Sequence, residues 1–189
     1  MDRIELLTTE AIPPLTAHLI RNALESGRDG EPVSRARSAD DPPDPGALGA
    51  RLAEAWTIPR GAPGWAICFG LWIGDDIGGH LDLRGGAIAS EMHRAQLGMG
   101  IERPFRRRGW GTRMLQTAIA WARGQGLAWI DLGVFTENTP AYELYLRAGF
   151  IELGVTPDRL RIDGRSLDDR AMTLRLQHDA EQAACMRPA

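Results

Sequence analysis

Arg106-Arg107-Arg108 concentrates three positive charges and is followed at once by Gly109-Trp110-Gly111. The run lies between an apolar stretch and the start of a long amphipathic segment, where unpaired N–H groups and the positive end of a helix dipole converge. Such a junction holds anions. Gly109 and Gly111 let a ligand approach the backbone closely, so the amides from Arg107 to Thr112 can wrap a pyrophosphate while the arginines charge its rim. The cluster is local, because the chain as a whole carries a net charge of -3. Taken alone, the arginine run also fits a solvated basic turn.

A second group of residues could face a bound ligand or act on its protons. Asn138 and Tyr145 stand two helical turns apart, with Ala141 between them, and project from nearly the same face. Glu102 ends the stretch before the arginines, and Glu91 and His93 precede that stretch. Each could act as a base directly or through water, or be an ordinary surface or polar contact. The four histidines, His18, His80, His93 and His178, show no HxxxH or HxH spacing, and the two cysteines are isolated. No metal is therefore predicted.

These residues must be positioned by a folded unit. The 189 residues, 43% of them hydrophobic, can bury one core, and a single domain is expected over 1–177 with a loose tail at 178–189. No membrane span or leader pattern is found, which predicts a cytoplasmic protein, and the acidic balance argues against a nucleic-acid partner. All 22 basic residues are arginine; biased codon usage explains this more simply than avoidance of self-modification.

Pattern reading gives a strand within 1–7, a helix over 11–24 with Pro13 and Pro14 in its first turn, and a long polar loop at 26–46 that could act as a lid. A helix over 47–56 follows. Residues 65–73 and 78–83 form a hairpin around Gly74-Asp75-Asp76, and 95–101 is a further strand. Met114, Leu115, Ala118, Ile119 and Ala122 make 111–123 the clearest helix, ended by Gly124 or Gly126. Ala128, Ile130, Leu132 and Val134 share one face of a strand over 128–135, and strand, helix and strand in succession imply a parallel pair with a right-handed crossover. A last helix over 140–148 is capped by Asn138 or Thr139, and 150–155 and 170–176 close the sheet as a hairpin.

The set of motifs resembles the GNAT superfamily of N-acetyltransferases, whose Gln/Arg-x-x-Gly-x-Gly/Ala signature is matched by Arg106, Gly109 and Gly111. H-R-A-x-L-G-M-G at 93–100, V-F-x-x-N-x-x-A-x-x-L-Y-x-x-x-G-F at 134–150 and I-D-G-R-x-x-D at 162–168 look like the branch similar to the ribosomal-protein alanine acetyltransferases. The likeness covers about residues 65–176. It implies an α+β fold with a mixed, mostly antiparallel sheet of six or seven strands, a central parallel pair that splays, and about four flanking helices.

The resemblance implies acetyl-CoA as cosubstrate, with pantetheine added like an extra strand along Met99, Gly100 and Ile101. Gly98 and Gly100 either permit a bulge that frees the Ile101 amide to polarise the thioester carbonyl, or relieve packing. The cradle is Arg106, Arg107, Arg108, Gly109, Trp110, Gly111 and Thr112. By the same resemblance Asn138, with Ala141, meets the pantetheine arm, and the Tyr145 hydroxyl meets the departing sulfur. Relatives that carry a glutamate five residues before the asparagine differ from this chain, which has Gly133 there. Asp131 and Gln96 are insecure substitutes, and Glu102 is retained as the tentative base.

No serine or cysteine sits in a nucleophile setting, so direct attack by a primary amine of a small molecule or peptide N-terminus is expected. Asp29, Glu31, Asp40, Asp41 and Asp44 either attract that cation or form a solvated loop. The alternative is a non-catalytic acyl-CoA-binding module that has lost its base. A dinucleotide or P-loop nucleotide site is disfavoured, since neither GxGxxG nor GKS/GKT is present. Relatives of this kind are commonly homodimers.

Overall fold

The computed structural model describes residues 1–176, so the tail expected at 178–189 lies outside the described residues. In chain order the elements are β1 (Arg3–Leu6), α1 (Ile12–Leu24), α2 (Pro45–Ala55), β2 (Ala66–Ile73), β3 (Asp76–Gly85), β4 (Arg94–Ile101), α3 (Trp110–Gly124), β5 (Trp129–Phe135), α4 (Thr139–Arg147), β6 (Ile151–Ile162) and β7 (Arg165–Arg175). The strands form a seven-stranded sheet in the order β1-β2-β3-β4-β5-β7-β6. Every neighbouring pair is antiparallel except β4 and β5, as a strand–helix–strand crossover requires. This is the α+β architecture expected, with four helices and one parallel pair.

The two faces of the sheet differ in chemistry because side chains alternate along each strand. Leu81 and Leu83 of β3, Leu97 of β4 and Ile130 and Leu132 of β5 lie in one cluster with Met114, Leu115, Ala118 and Ala122 of α3. Met114, Leu115, Ala118 and Ala122 are fully buried, and each large side chain contributes on the order of 2 kcal/mol by leaving water. The opposite face carries His80 and Asp82 of β3, paired with Gly100 and Gly98 of β4. Here α1 lies, with His18 and Asn22 buried among its apolar residues.

The last hairpin is longer than expected. Strands predicted at 150–155 and 170–176 extend to Ile162 and back from Arg165, around a turn in which Asp163 and Gly164 both have positive φ. Pro157 removes a ladder donor and reads as the end of a strand. The chain absorbs it in an irregular register between Thr156 and Leu160, with Asp158 at φ 48. The β4 bulge does not form: its register with β3 runs unbroken from Gly85↔Ala95 to Gly79↔Ile101. Gly98 and Gly100 serve packing instead. A Cβ on Gly100 would lie 2.4 Å from Asn22 Oδ1 and 2.8 Å from His80 Cε1, and one on Gly98 would lie 2.7 Å from Asp82 Oδ1.

Candidate active site

Strands β4 and β5 pair only at Arg94↔Trp129, Ala95↔Ile130 and Gln96↔Asp131. Beyond Gln96 they part, and β5 continues paired to β7 alone. A fork results. Glu102 N–H donates to the Gly78 carbonyl at 3.0 Å, next to the pair Gly79↔Ile101. Ile101 therefore sits at a non-hydrogen-bonded position. Its own N–H points away from β3 into the fork, as does that of Met99 two residues back, while Gly100 faces β3. The amide expected to be freed by a bulge is thus freed by the splay.

The mouth of the fork is the N-terminus of α3. Gly109 is its N-cap in the left-handed conformation, φ 79, with no side-chain cap, and the first intrahelical bond runs from Arg113 N–H to the Gly109 carbonyl. The N–H groups of Trp110, Gly111 and Thr112 are left without helical acceptors, the arrangement that receives an anion. Arg107, itself at φ 58, and Arg108 are exposed beside them, and among the described residues neither is in an ion pair. Arg113 stacks over the Trp110 ring at 4.4 Å. Gly111 has a second use, since a Cβ there would lie 2.9 Å from Leu144 of α4.

Arg106 behaves differently from its neighbours. Its Nε donates to the Ile101 carbonyl at 2.7 Å, one terminal nitrogen pairs with Glu25 at 2.8 Å and the other pairs with Glu31. It fastens the 25–31 segment to the end of β4 instead of facing the anion cradle. The loop carboxylates are likewise spoken for. Asp29 pairs with Arg103, Asp40 with Arg28 and Asp41 with Arg37, while Asp44 caps α2 through Ala47 N–H. An acidic lure for a cationic amine is not what this loop presents.

On α4, Asn138 is the N-cap, its side chain accepting from Ala141 N–H at 3.3 Å. Tyr145 is buried, edge-on to Phe150 at 5.7 Å. Burial pushes its phenol up to about 12; Asp82 adds to the rise and Arg35 opposes it, so the ring lies within electrostatic reach of both. The group is a proton-bearing donor throughout the neutral range.

Glu102 is buried rather than standing at an open mouth. Its Oε1 lies 2.7 Å from His18 Nδ1 and accepts from Arg21 Nε at 3.0 Å. His18 Nε2 lies 2.8 Å from His80 Nδ1, and His80 Nε2 lies 3.2 Å from a guanidinium nitrogen of Arg35. The same nitrogen donates to Asn22 Oδ1 at 2.7 Å. Burial, then Arg35, His18 and Arg84, hold His80 well below the usual imidazole range; burial also lowers His18, against the pull of Glu102. Burial raises Asp82, which pairs with Arg84 at 2.7 Å.

Sequence reading missed this cluster. Its one local signal was polar residues at helical and strand spacing, His18 with Asn22 and His80 with Asp82, on otherwise apolar elements. The other candidate bases do not join it. Asp131 is held by Arg94 at 2.6 and 2.7 Å and by Thr173 at 2.6 Å, while Glu91, His93 and Gln96 are exposed.

The profile of the acetyltransferase (GNAT) family matches residues 35–150. No curated protein matches the sequence significantly. Among solved structures, a GNAT-family acetyltransferase from Streptococcus pneumoniae is 20% identical and aligns 94% of this chain with 100% of its own, at a TM-score of 0.79. A ribosomal-protein-alanine N-acetyltransferase from Brucella melitensis is 19% identical over 92% of this chain and 99% of its own, TM-score 0.76. A phosphinothricin acetyltransferase from Sinorhizobium meliloti, in complex with AcCoA, is 13% identical over 100% of this chain and 93% of its own, TM-score 0.78. Among the described residues no helix is long and apolar enough to cross a membrane.

Proposed function

The chain belongs to the acetyltransferase (GNAT) family, and from that premise we propose that it moves an acetyl group from acetyl-CoA to a primary amine by direct attack in a ternary complex. The carrying observation is the fork: two main-chain amides, of Met99 and Ile101, face a gap that ends at an uncapped helix N-terminus. The pyrophosphate of CoA binds the amides of Arg107 to Thr112, with Arg107 and Arg108 at its rim. Pantetheine runs along β4, and its thioester oxygen meets Ile101 N–H, which stabilises the charge that develops there. The Asn138 amide and the Ala141 face of α4 line the far wall. AcCoA in the Sinorhizobium meliloti complex supports this donor.

The amine approaches from the polar face of the sheet, and the lone pair of its nitrogen forms the new C–N bond as the C–S bond breaks. Tyr145 donates a hydrogen bond to the departing thiolate. A phenol near 12 is a poorer acid than a thiol near ~8.5, so Tyr145 stabilises the thiolate instead of protonating it outright. An α-amine, with a pKa of ~8, costs about 1 kcal/mol to deprotonate at neutral pH, against roughly 4–5 for a lysine-like amine. The α-amino group is the preferred acceptor class, in keeping with the likeness to ribosomal-protein alanine acetyltransferases.

Incubating the protein with acetyl-CoA and a panel of amines and amino-terminal peptides, while following free thiol, tests the proposal. Amine-dependent release is expected. Tight CoA binding without release for any acceptor would leave an acyl-CoA-binding module in its place.

A further inference from the structure

The buried polar cluster above the fork has a direction. A guanidinium only donates hydrogen bonds, so His80 Nε2, 3.2 Å from Arg35, is the acceptor nitrogen of its ring. The proton of neutral His80 is then on Nδ1, which donates to His18 Nε2 at 2.8 Å. His18 in turn carries its proton on Nδ1 and donates to the Glu102 carboxylate at 2.7 Å. Four groups, Arg35 from a loop, His80 of β3, His18 of α1 and Glu102 at the end of β4, thus form one chain of like polarity, in which the Nε2 lone pair of His80 accepts from Arg35. Gly100 lets the three side chains close on one another, since a Cβ there would lie 2.4 Å from Asn22 Oδ1, 2.8 Å from His80 Cε1 and 3.0 Å from Arg35.

We infer that His80 is the base that takes the acceptor's proton, and that His18 and Glu102 are positioning residues that draw the resulting charge away from it. This rests on the acetyl-transfer reading. Arg35 holds its cationic N–H between His80 Nε2 and Asn22 Oδ1, so an incoming ammonium reaches these two acceptors by taking the place of that N–H. On transfer, an N–H bond of the acceptor breaks and one forms at His80 Nε2. His80 Nδ1–H passes to His18 Nε2, and His18 becomes an imidazolium against Glu102. The acceptor's remaining surplus proton ends on the CoA thiol after C–S cleavage, so one proton is released per turnover.

Surrounding charges favour this direction. His80 faces Arg35 and Arg84, which repel a charge on its ring, with Asp82 paired to Arg84 and Tyr145 beyond. His18 faces Glu102, itself bonded to Arg21, which also pairs with Asp76. A proton picked up at His80 is therefore better held one ring further in.

Two measurements on the full chain test the inference. In nitrogen-resolved imidazole spectra at neutral pH, both His18 and His80 should be neutral Nδ1–H tautomers; an Nε2–H tautomer on either breaks the chain and overturns it. In the second, kcat/KM for an amine that the wild type acetylates is followed from pH 6 to 9 for His80→Gln. A loss of about 100-fold is expected at pH 7, narrowing by about tenfold per pH unit until the pH reaches the amine's own pKa, above which the amine is already free. CoA affinity and thermal unfolding should stay close to wild type. Glu102→Gln keeps an acceptor for His18 but removes the charge, and about a tenfold loss of the same pH form is expected. A deficit that is equal at every pH means a structural role and overturns the inference, while a wild type inactive with every amine refutes the acetyl-transfer reading and leaves the tautomer result to decide the chain.

Discussion

Tyr145 shows how much of a side chain's surroundings comes from elements distant in sequence. Asn138 caps α4 and Tyr145 lies within it, but the charges that reach Tyr145, Asp82 and Arg35, come from β3 and a distant loop. With its phenol near 12 it stays protonated up to the alkaline end of any practical assay, so no loss of rate below pH 10 should trace to its ionisation. Tyr145→Phe should lower kcat by about tenfold or more, by removing one hydrogen bond to a developing charge. CoA affinity, measured by calorimetry, should be unchanged. An unchanged kcat would remove Tyr145 from the reaction.

At the scale of elements, periodic segments were legible and long-range pairings were not. The apolar face of α3 and the alternation of β5 specify a helix crossing over between two strands, and that pair makes the fork. The His18–His80–Glu102 chain left no such trace, because its members lie 62 and 84 residues apart in sequence. Arg106 shows a related gap. Its motif position says nothing of Glu25 and Glu31, which fold back onto it only in three dimensions. The cradle itself rests on Gly109, whose φ of 79 favours glycine and around which a Cβ would meet nothing within 4 Å. Gly109→Ala therefore introduces backbone strain alone, about 1–2 kcal/mol. The expected result is a small drop in melting temperature together with weaker CoA binding, and binding left intact would argue against the α3 N-terminus as the phosphate site.

For the whole molecule, burying two histidines links stability to pH. Both are lowered from the ordinary value near ~6.5 by burial. Below that value the unfolded chain binds protons that the native state does not. The stability is thus fully present above about pH 6.5 and falls as the solution becomes more acidic, by up to roughly 1.4 kcal/mol per pH unit for each histidine. Urea unfolding at pH 7 and pH 5 should show the decline, and His80→Gln should flatten it; an equal slope in the variant would mean that His80 is protonated in the native protein.

The proposed function joins an anion-binding helix N-terminus, a splayed strand pair and the polar face of one sheet, and it requires direct transfer without an acyl-enzyme. Mixing stoichiometric protein and acetyl-CoA without amine, then adding an accepted amine, tests this most directly. Free thiol should appear only after the amine is added, in step with the acetylated amine. Thiol released beforehand with acetyl retained on the protein, or no release after addition, would contradict the account.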